Sequence, residues 1–188
     1  MKSDENFAAR FGGIQRLYGV KAVEIIRNMH VCIVGLGGVG SWTVEALART
    51  GVGRLTLIDY DTVSISNINR QLVALDSTAG EKKSSVLKQR VADINPLCDC
   101  QIVDDFLTTK NLDELLSLEC GYHYVVDAID SIKFKSAMIY HCRRNKIPIV
   151  TTGGAGGLTD PLAVKVSDLS QTYNDPLAAK VRSQRRSE

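Results

Sequence analysis

Apolar residues in this chain gather into short unbroken runs, separated by longer stretches with helical spacing. His30–Val34, Arg54–Asp59, Cys100–Val103, Tyr124–Asp127 and Ile147–Thr151 read as strands. Runs that are apolar at successive positions, rather than at alternate ones, predict strands covered on both faces, the habit of parallel sheets. Residues 13–28 predict one helix, with Ile14, Leu17, Val20 and Ile25 on one side. Val39–Thr50 predicts a second, ended by Gly51 and Gly53. Lys82–Ile94 follows, with Val86, Leu87, Val91 and Ile94 as its apolar side and Pro96 closing it. Leu112–Leu118 predicts a short helix and Phe134–Arg144 a longer one. Leu162–Val166 predicts a sixth strand and Leu177–Glu188 a terminal basic helix.

Strands alternating with helices predict an α/β fold: a Rossmann-like, doubly wound, mostly parallel sheet with helices on both faces. A length of 188 residues suits one such domain rather than two. The pattern ends in a helix with neither a cap nor a following strand. The expectation is a single domain over 1–188 that lacks the C-terminal part of its fold.

Composition narrows the setting. No run of about 18 apolar residues predicts a membrane span, and Met1–Asn6 has no apolar signal region. The five cysteines, at 32, 98, 100, 120 and 142, are odd in number and contain no CxxC spacing. A reducing, cytoplasmic compartment is expected. The Cys98–Cys100 pair is expected to be inert. A net charge of +2 does not by itself announce nucleic acid binding. His123 and His141 are expected to be structural, and Trp42 to be core.

Candidate chemistry concentrates after the first strand. Gly35, Gly37 and Gly40 match G-x-G-x-x-G between a strand and a helix, with Gly38 inside the turn. Such a loop brings backbone N–H groups and the positive end of a helix against a phosphate. Asp59 ends the next strand, where a dinucleotide fold keeps the acid that binds a ribose hydroxyl. An NAD-linked dehydrogenase is therefore one reading. The following run, Asp59-Tyr-Asp61-Thr-Val-Ser-Ile-Ser66-Asn67-Ile-Asn69-Arg70-Gln71, is polar and carries a cation. With Lys83 it suits a triphosphate, which needs more positive charge than a pyrophosphate. Asp127 and Asp130 close the fourth strand, and a carboxylate there suits Mg2+.

These segments together resemble the E1-like adenylating enzymes, the ThiF group. The matching motifs are Gly35–Gly40, Leu57–Asp61, Ser66–Gln71, Lys83 and Asp127-Ala-Ile-Asp130, with Ser131 where that family commonly has Asn. The resemblance implies an ATP site. In it, Asn67, Arg70 and Lys83 contact phosphates, Asp59 binds the ribose, and Asp130 coordinates magnesium and is needed for catalysis. The glycines, Asp61, Asp127 and Ser131 complete the pocket. An N-terminal arginine, Arg16 or Arg10, reaches the phosphates from a partner subunit of a homodimer. The apolar run Leu158–Val166 suits such a subunit contact.

A narrower resemblance rests on four further segments. They are Arg10–Gly19, Cys142–Pro148, Val150–Gly157 and Asp175–Lys180. They are similar to the branch that acts on threonylcarbamoyladenosine in tRNA, beside the anticodon. The resemblance implies adenylation of the threonyl carboxylate, then cyclisation with loss of water. It also implies a cysteine desulfurase and its sulfur acceptor as partners. The expected tRNA contacts are Lys133, Lys135, Arg143, Arg144, Lys146, Lys180, Arg182, Arg185 and Arg186. Activation of the C-terminus of a sulfur-carrier or ubiquitin-like protein is the alternative. A scaffold for sulfur transfer that has kept the nucleotide fold is a non-enzymatic one.

Overall fold

The computed structural model describes residues 2–185, and side chains over 5–184. Five strands, β1 (His30–Val34), β2 (Arg54–Ile58), β3 (Asp99–Val103), β4 (Tyr124–Asp127) and β5 (Ile149–Thr151), form one sheet. Its order is β3-β2-β1-β4-β5, and every pairing is parallel. This is the doubly wound order expected from the alternating pattern. The direction of winding reverses between β1 and β4, which opens a crevice above their C-terminal ends.

The unbroken apolar runs follow from this topology. Successive side chains on a strand point to opposite faces. Val31, Ile33, Leu55 and Leu57 enter a core under α3 (Gly40–Thr50) and α4 (Lys83–Ile94). Cys32, Val34, Ile58 and Val125 enter a second core with Met138 and Cys142 of α6 (Ile132–Arg144) and Leu112 of α5 (Leu112–Leu115). With both faces covered, these positions are apolar, and polar side chains buried on the same strands, such as Thr56 and Asp127, are hydrogen-bonded.

Two expectations change. The helix predicted over 13–28 is two, α1 (Lys2–Tyr18) and α2 (Val20–Asn28). Gly19 between them has φ 85°, a left-handed backbone that no helix continues through. Phe7 and Phe11 of α1 pack on Gly51, at the C-terminal end of α3, and Arg10 donates to the carbonyls of Asp93 and Ile94 at the end of α4. The sixth strand over Leu162–Val166 does not form. Pro161–Ala163 makes a single 3-10 turn, and Leu162, Val164 and Val166 are 90%, 81% and 99% exposed. The terminal helix, α7 (Pro176–Arg185), is present; residues 186–188 of that expectation lie outside the described residues. No helix among the described residues is long and apolar enough to cross a membrane.

Candidate functional site

The loop after β1 turns back at Gly35, where φ is 87°. A side chain at Gly35 would also stand 2.8 Å from Ile129 Cγ2 and 3.0 Å from the backbone of Ala128. A Cβ at Gly40 would collide with the carbonyl of Gly35. These two glycines are required by close approach. Gly37 and Gly38 leave ordinary space beside Gln71 and Arg70. The first turn of α3 thus starts from a narrow loop, and its N-terminal dipole is presented to the crevice. Ser41 ties the loop down: its hydroxyl donates to the Gly37 carbonyl at 2.7 Å and accepts the N–H of Leu72.

Asp59, just past β2, accepts the N–H of Leu36 at 2.6 Å through Oδ2 and the N–H of Asp61 at 2.8 Å through Oδ1. Each oxygen keeps a lone pair for a hydroxyl donor. The segment 59–82 then crosses to α4 and is anchored by buried Val63, Val73 and Ala74. Asn67 accepts the N–H of Ser64 with its amide oxygen, so its NH2 group is what it can offer an anion. Arg70 lies over the glycine loop, its Cγ 3.6 Å from where a Cβ of Gly38 would be, and its guanidinium donates to Ser66 O and Asn69 Oδ1. Trp42 is not core as expected. It is 53% exposed and donates its indole N–H to the carbonyl of Arg70. Lys83, 5% exposed in the first turn of α4, pairs with Asp61 at 2.9 Å.

Across the crevice, β4 ends at Asp127, which is fully buried and held by Lys135 at 2.8 Å and Thr151 at 2.5 Å. Burial pushes the Asp127 carboxyl above the usual range, against the pull of Lys135. Asp130 is exposed and forms no hydrogen bond or ion pair with the described residues. Ser131 caps the start of α6 without a side-chain bond. The structure therefore gathers the glycine loop, Asp59, Asp61, Asn67, Arg70, Lys83, Asp130 and Ser131 along one sheet edge. Asp127 is brought to the same edge but turned into the protein.

Arg16 is elsewhere. It is exposed on α1, the helix that packs on the far ends of α3 and α4. Lys135, expected to meet RNA, is 1% exposed and cannot. Arg143, Arg144 and Lys146 are exposed at the other end of α6, about 18 Å along that helix from Asp130. Lys133 and Lys180 are exposed and Arg182 half-buried. Arg186 and the side chain of Arg185 lie outside the described residues. His123 and His141 are structural: His123 Nδ1 accepts the N–H of His30, and His141 contacts the Leu116 carbonyl. Burial pushes the Cys98 and Cys100 thiols up to about 12 and about 11, which suits the inert role expected of them.

Sequence reasoning gave Ser41, Gln71 and Thr151 no role of their own and assigned Lys135 to RNA. Gln71 ends the Ser66–Gln71 motif and is 8% exposed; its Nε2 lies beside Gly37, and its amide oxygen has no partner among the described residues. A signal existed for Lys135: it shares the i, i+3, i+4, i+7 stripe of α6 with Met138, Ile139 and Cys142. Ser41 and Thr151 carried none.

The ThiF family matches residues 13–187. The tRNA threonylcarbamoyladenosine dehydratase of Escherichia coli is 54% identical over 95% of this chain and 66% of its own length. That of Haemophilus influenzae is 52% identical over 95% and 68%. The chain thus spans about two thirds of these relatives. The crystal structure of the E. coli dehydratase in complex with ATP superposes with a TM-score of 0.94 at 53% identity, covering 96% of this chain and 74% of that one. The chain belongs to the ThiF family, in the group of the tRNA threonylcarbamoyladenosine dehydratases.

Proposed function

We propose that the protein is an ATP-dependent dehydratase that adenylates the carboxylate of threonylcarbamoyladenosine beside the anticodon of tRNA and closes it to the cyclic form. One observation carries this reading. An Asp59-braced glycine loop packs on the turn that leads into Asp130, an exposed carboxylate with no partner among the described residues, at the switch point of a fold whose solved relative holds ATP.

A carboxylate is a poor electrophile until an oxygen is made a leaving group. In the proposed reaction a carboxylate oxygen attacks the α-phosphorus of ATP, the bond to the bridging oxygen breaks, and pyrophosphate leaves. An atom of the substrate's own side chain then attacks the acyl carbon and expels AMP, so the lost water leaves as an oxygen of AMP. The protein supplies positioning and charge. Backbone N–H groups of 35–40, Arg70, Lys83 and the Asn67 NH2 group hold the phosphates. Asp59 holds the ribose, with Asp61 and Ser131 bordering it and Asp127 bracing the turn beside it.

Mg2+ fits this site. No cluster of three or more His, Cys, Asp or Glu among the described residues could hold a metal. Asp130 would hold the ion, with phosphate and water as its remaining ligands, and the chemistry supplied would be charge neutralisation. Asp130 is then the metal-binding and catalytic carboxylate.

Arg16, being on the far side of its own subunit, reaches a nucleotide only from another copy, so a homodimer is part of the proposal. The exposed Leu158–Val166 run offers it apolar surface. The basic ends of α6 and α7 are proposed to meet tRNA phosphates. A cytoplasmic location and a cysteine desulfurase with its sulfur acceptor complete the reading. The test is to incubate the purified protein with ATP, Mg2+ and tRNA carrying the modified adenosine. A nucleoside lighter by one water, with stoichiometric AMP, is expected. ATP binding without such a product, together with pyrophosphate exchange driven by a Gly-Gly-ended carrier, overturns the reading in favour of the carrier-activating alternative.

A further inference from the structure

Lys135 lies in the first turns of α6, 1% exposed. Its ammonium donates to Asp127 Oδ2 at 2.8 Å, to Thr151 Oγ1 at 3.1 Å and to the Asp127 carbonyl at 3.5 Å. The Thr151 hydroxyl donates to the same Oδ2. The other carboxylate oxygen, Oδ1, accepts the N–H of Ile129 at 3.3 Å. Thr152 adds its N–H and its hydroxyl to the Asp127 carbonyl. Every polar atom of Asp127 that can accept is engaged from β5, α6 or the turn that follows.

That turn is packed on the glycine loop. Ile129 and Ala128 are the groups that any side chain at Gly35 would strike. Asp130 follows directly. A buried ion pair gives little net stability, because desolvating both charges offsets their attraction. The neighbouring positions of the stripe, Met138, Ile139 and Cys142, are filled with apolar residues. An aliphatic side chain at 135 would pack the same space at less electrostatic cost. What it would not supply is directional bonds to the end of β4.

We propose that Lys135 and Thr151 are positioning residues: through Asp127 they hold the 127–130 turn in register with the glycine loop and so set how strongly magnesium binding reinforces ATP binding. This rests on the reading of Asp130 as the metal-binding carboxylate. ATP itself is held mainly from the other side of the crevice, by the glycine loop, Arg70 and Lys83. The network therefore governs the coupling between metal and nucleotide, not the metal-free affinity.

The test is calorimetric titration with ATP in Mg2+ and in a chelator, the ratio of the two dissociation constants being the readout. Lys135→Met strands a buried carboxylate and can unfold the protein, so the deciding variant is Thr151→Val, which preserves volume. Its ratio is expected to fall about tenfold, the usual effect of removing a support behind a metal ligand. Thr151→Ser keeps the hydroxyl and is expected to hold the ratio within about twofold. Exchange of the Ile129 amide should quicken about tenfold in the valine variant alone. A ratio unchanged in Thr151→Val but lost in Asp130→Asn overturns the proposal and leaves the network purely structural. A ratio unchanged in Asp130→Asn overturns the reading of Asp130 instead.

Discussion

Asp59 accepts the backbone N–H of Leu36 at 2.6 Å, so the carboxylate at the end of β2 fixes the shape of the loop at the end of β1. The same side chain accepts the N–H of Asp61 and so starts the segment that carries Asn67 and Arg70. One acid organises both halves of the candidate site before any ligand arrives. Asp59→Ala is expected to weaken ATP binding at least about tenfold, since a hydrogen bond to a charged acceptor contributes roughly 1.5–3 kcal/mol. Asp59→Asn, which keeps one acceptor, should lose less. Fluorescence or calorimetric titration of the three proteins checks the order.

The glycines are not equivalent. Gly40→Ala drives a methyl into the Gly35 carbonyl and should cost about 3 kcal/mol or prevent folding. Gly37→Ala meets nothing closer than 3.6 Å, at Gln71 Nε2, and should fold with an unfolding midpoint near that of the parent. Any loss in that variant should appear in ATP affinity. Thermal unfolding of the pair, followed by titration of the soluble one, separates the two effects.

Asp130→Asn should leave stability unchanged, because the carboxylate is exposed and unpaired among the described residues. ATP-dependent formation of the cyclic nucleoside should fall roughly a hundredfold or more, as expected when a metal that neutralises transferring charge loses its protein ligand. An unaltered rate in a folded variant would remove Asp130 from the mechanism.

Acid should destabilise the protein in two steps. Burial, helped by Arg54, holds the His30 imidazole below its ordinary 6.5. The unfolded chain then binds a proton that the folded chain resists, so stability falls as pH drops below about 6.5. Glu45, lowered chiefly by its hydrogen bonds to Arg90, acts later. Its contribution is complete above about 4.5 and is lost as pH falls through its depressed value. His30→Gln should flatten the unfolding midpoint between about pH 7 and pH 5.5 and leave the steeper loss at lower pH. Scanning calorimetry across that range checks it.

Much of the molecule was legible in one dimension. The strand runs and the Gly35–Gly40 turn need only local rules: apolar run length, glycine conformation, helix spacing. Charge placement suggested Lys83, and family likeness Asn67, as proposed phosphate contacts; a lysine at a helix start is otherwise a solvated charge. The sixth strand over Leu162–Val166 was misread because alternation of apolar residues resembles a strand even where no neighbouring strand offers hydrogen bonds. Trp42 was misread because helical spacing places a side chain on a face without saying whether that face is covered.

The chain alone therefore determined the fold class, the glycine turn after β1 and the set of polar residues near it, because each depends on neighbours a few positions apart. Only the folded protein decided which of two acids, three residues apart, is available. Asp127 is drawn inward by Lys135 from α6 and Thr151 from β5, while Asp130 stays exposed, with no partner among the described residues. That choice depends on charges distant in sequence meeting in a space without water, where a carboxylate must find partners or stay outside.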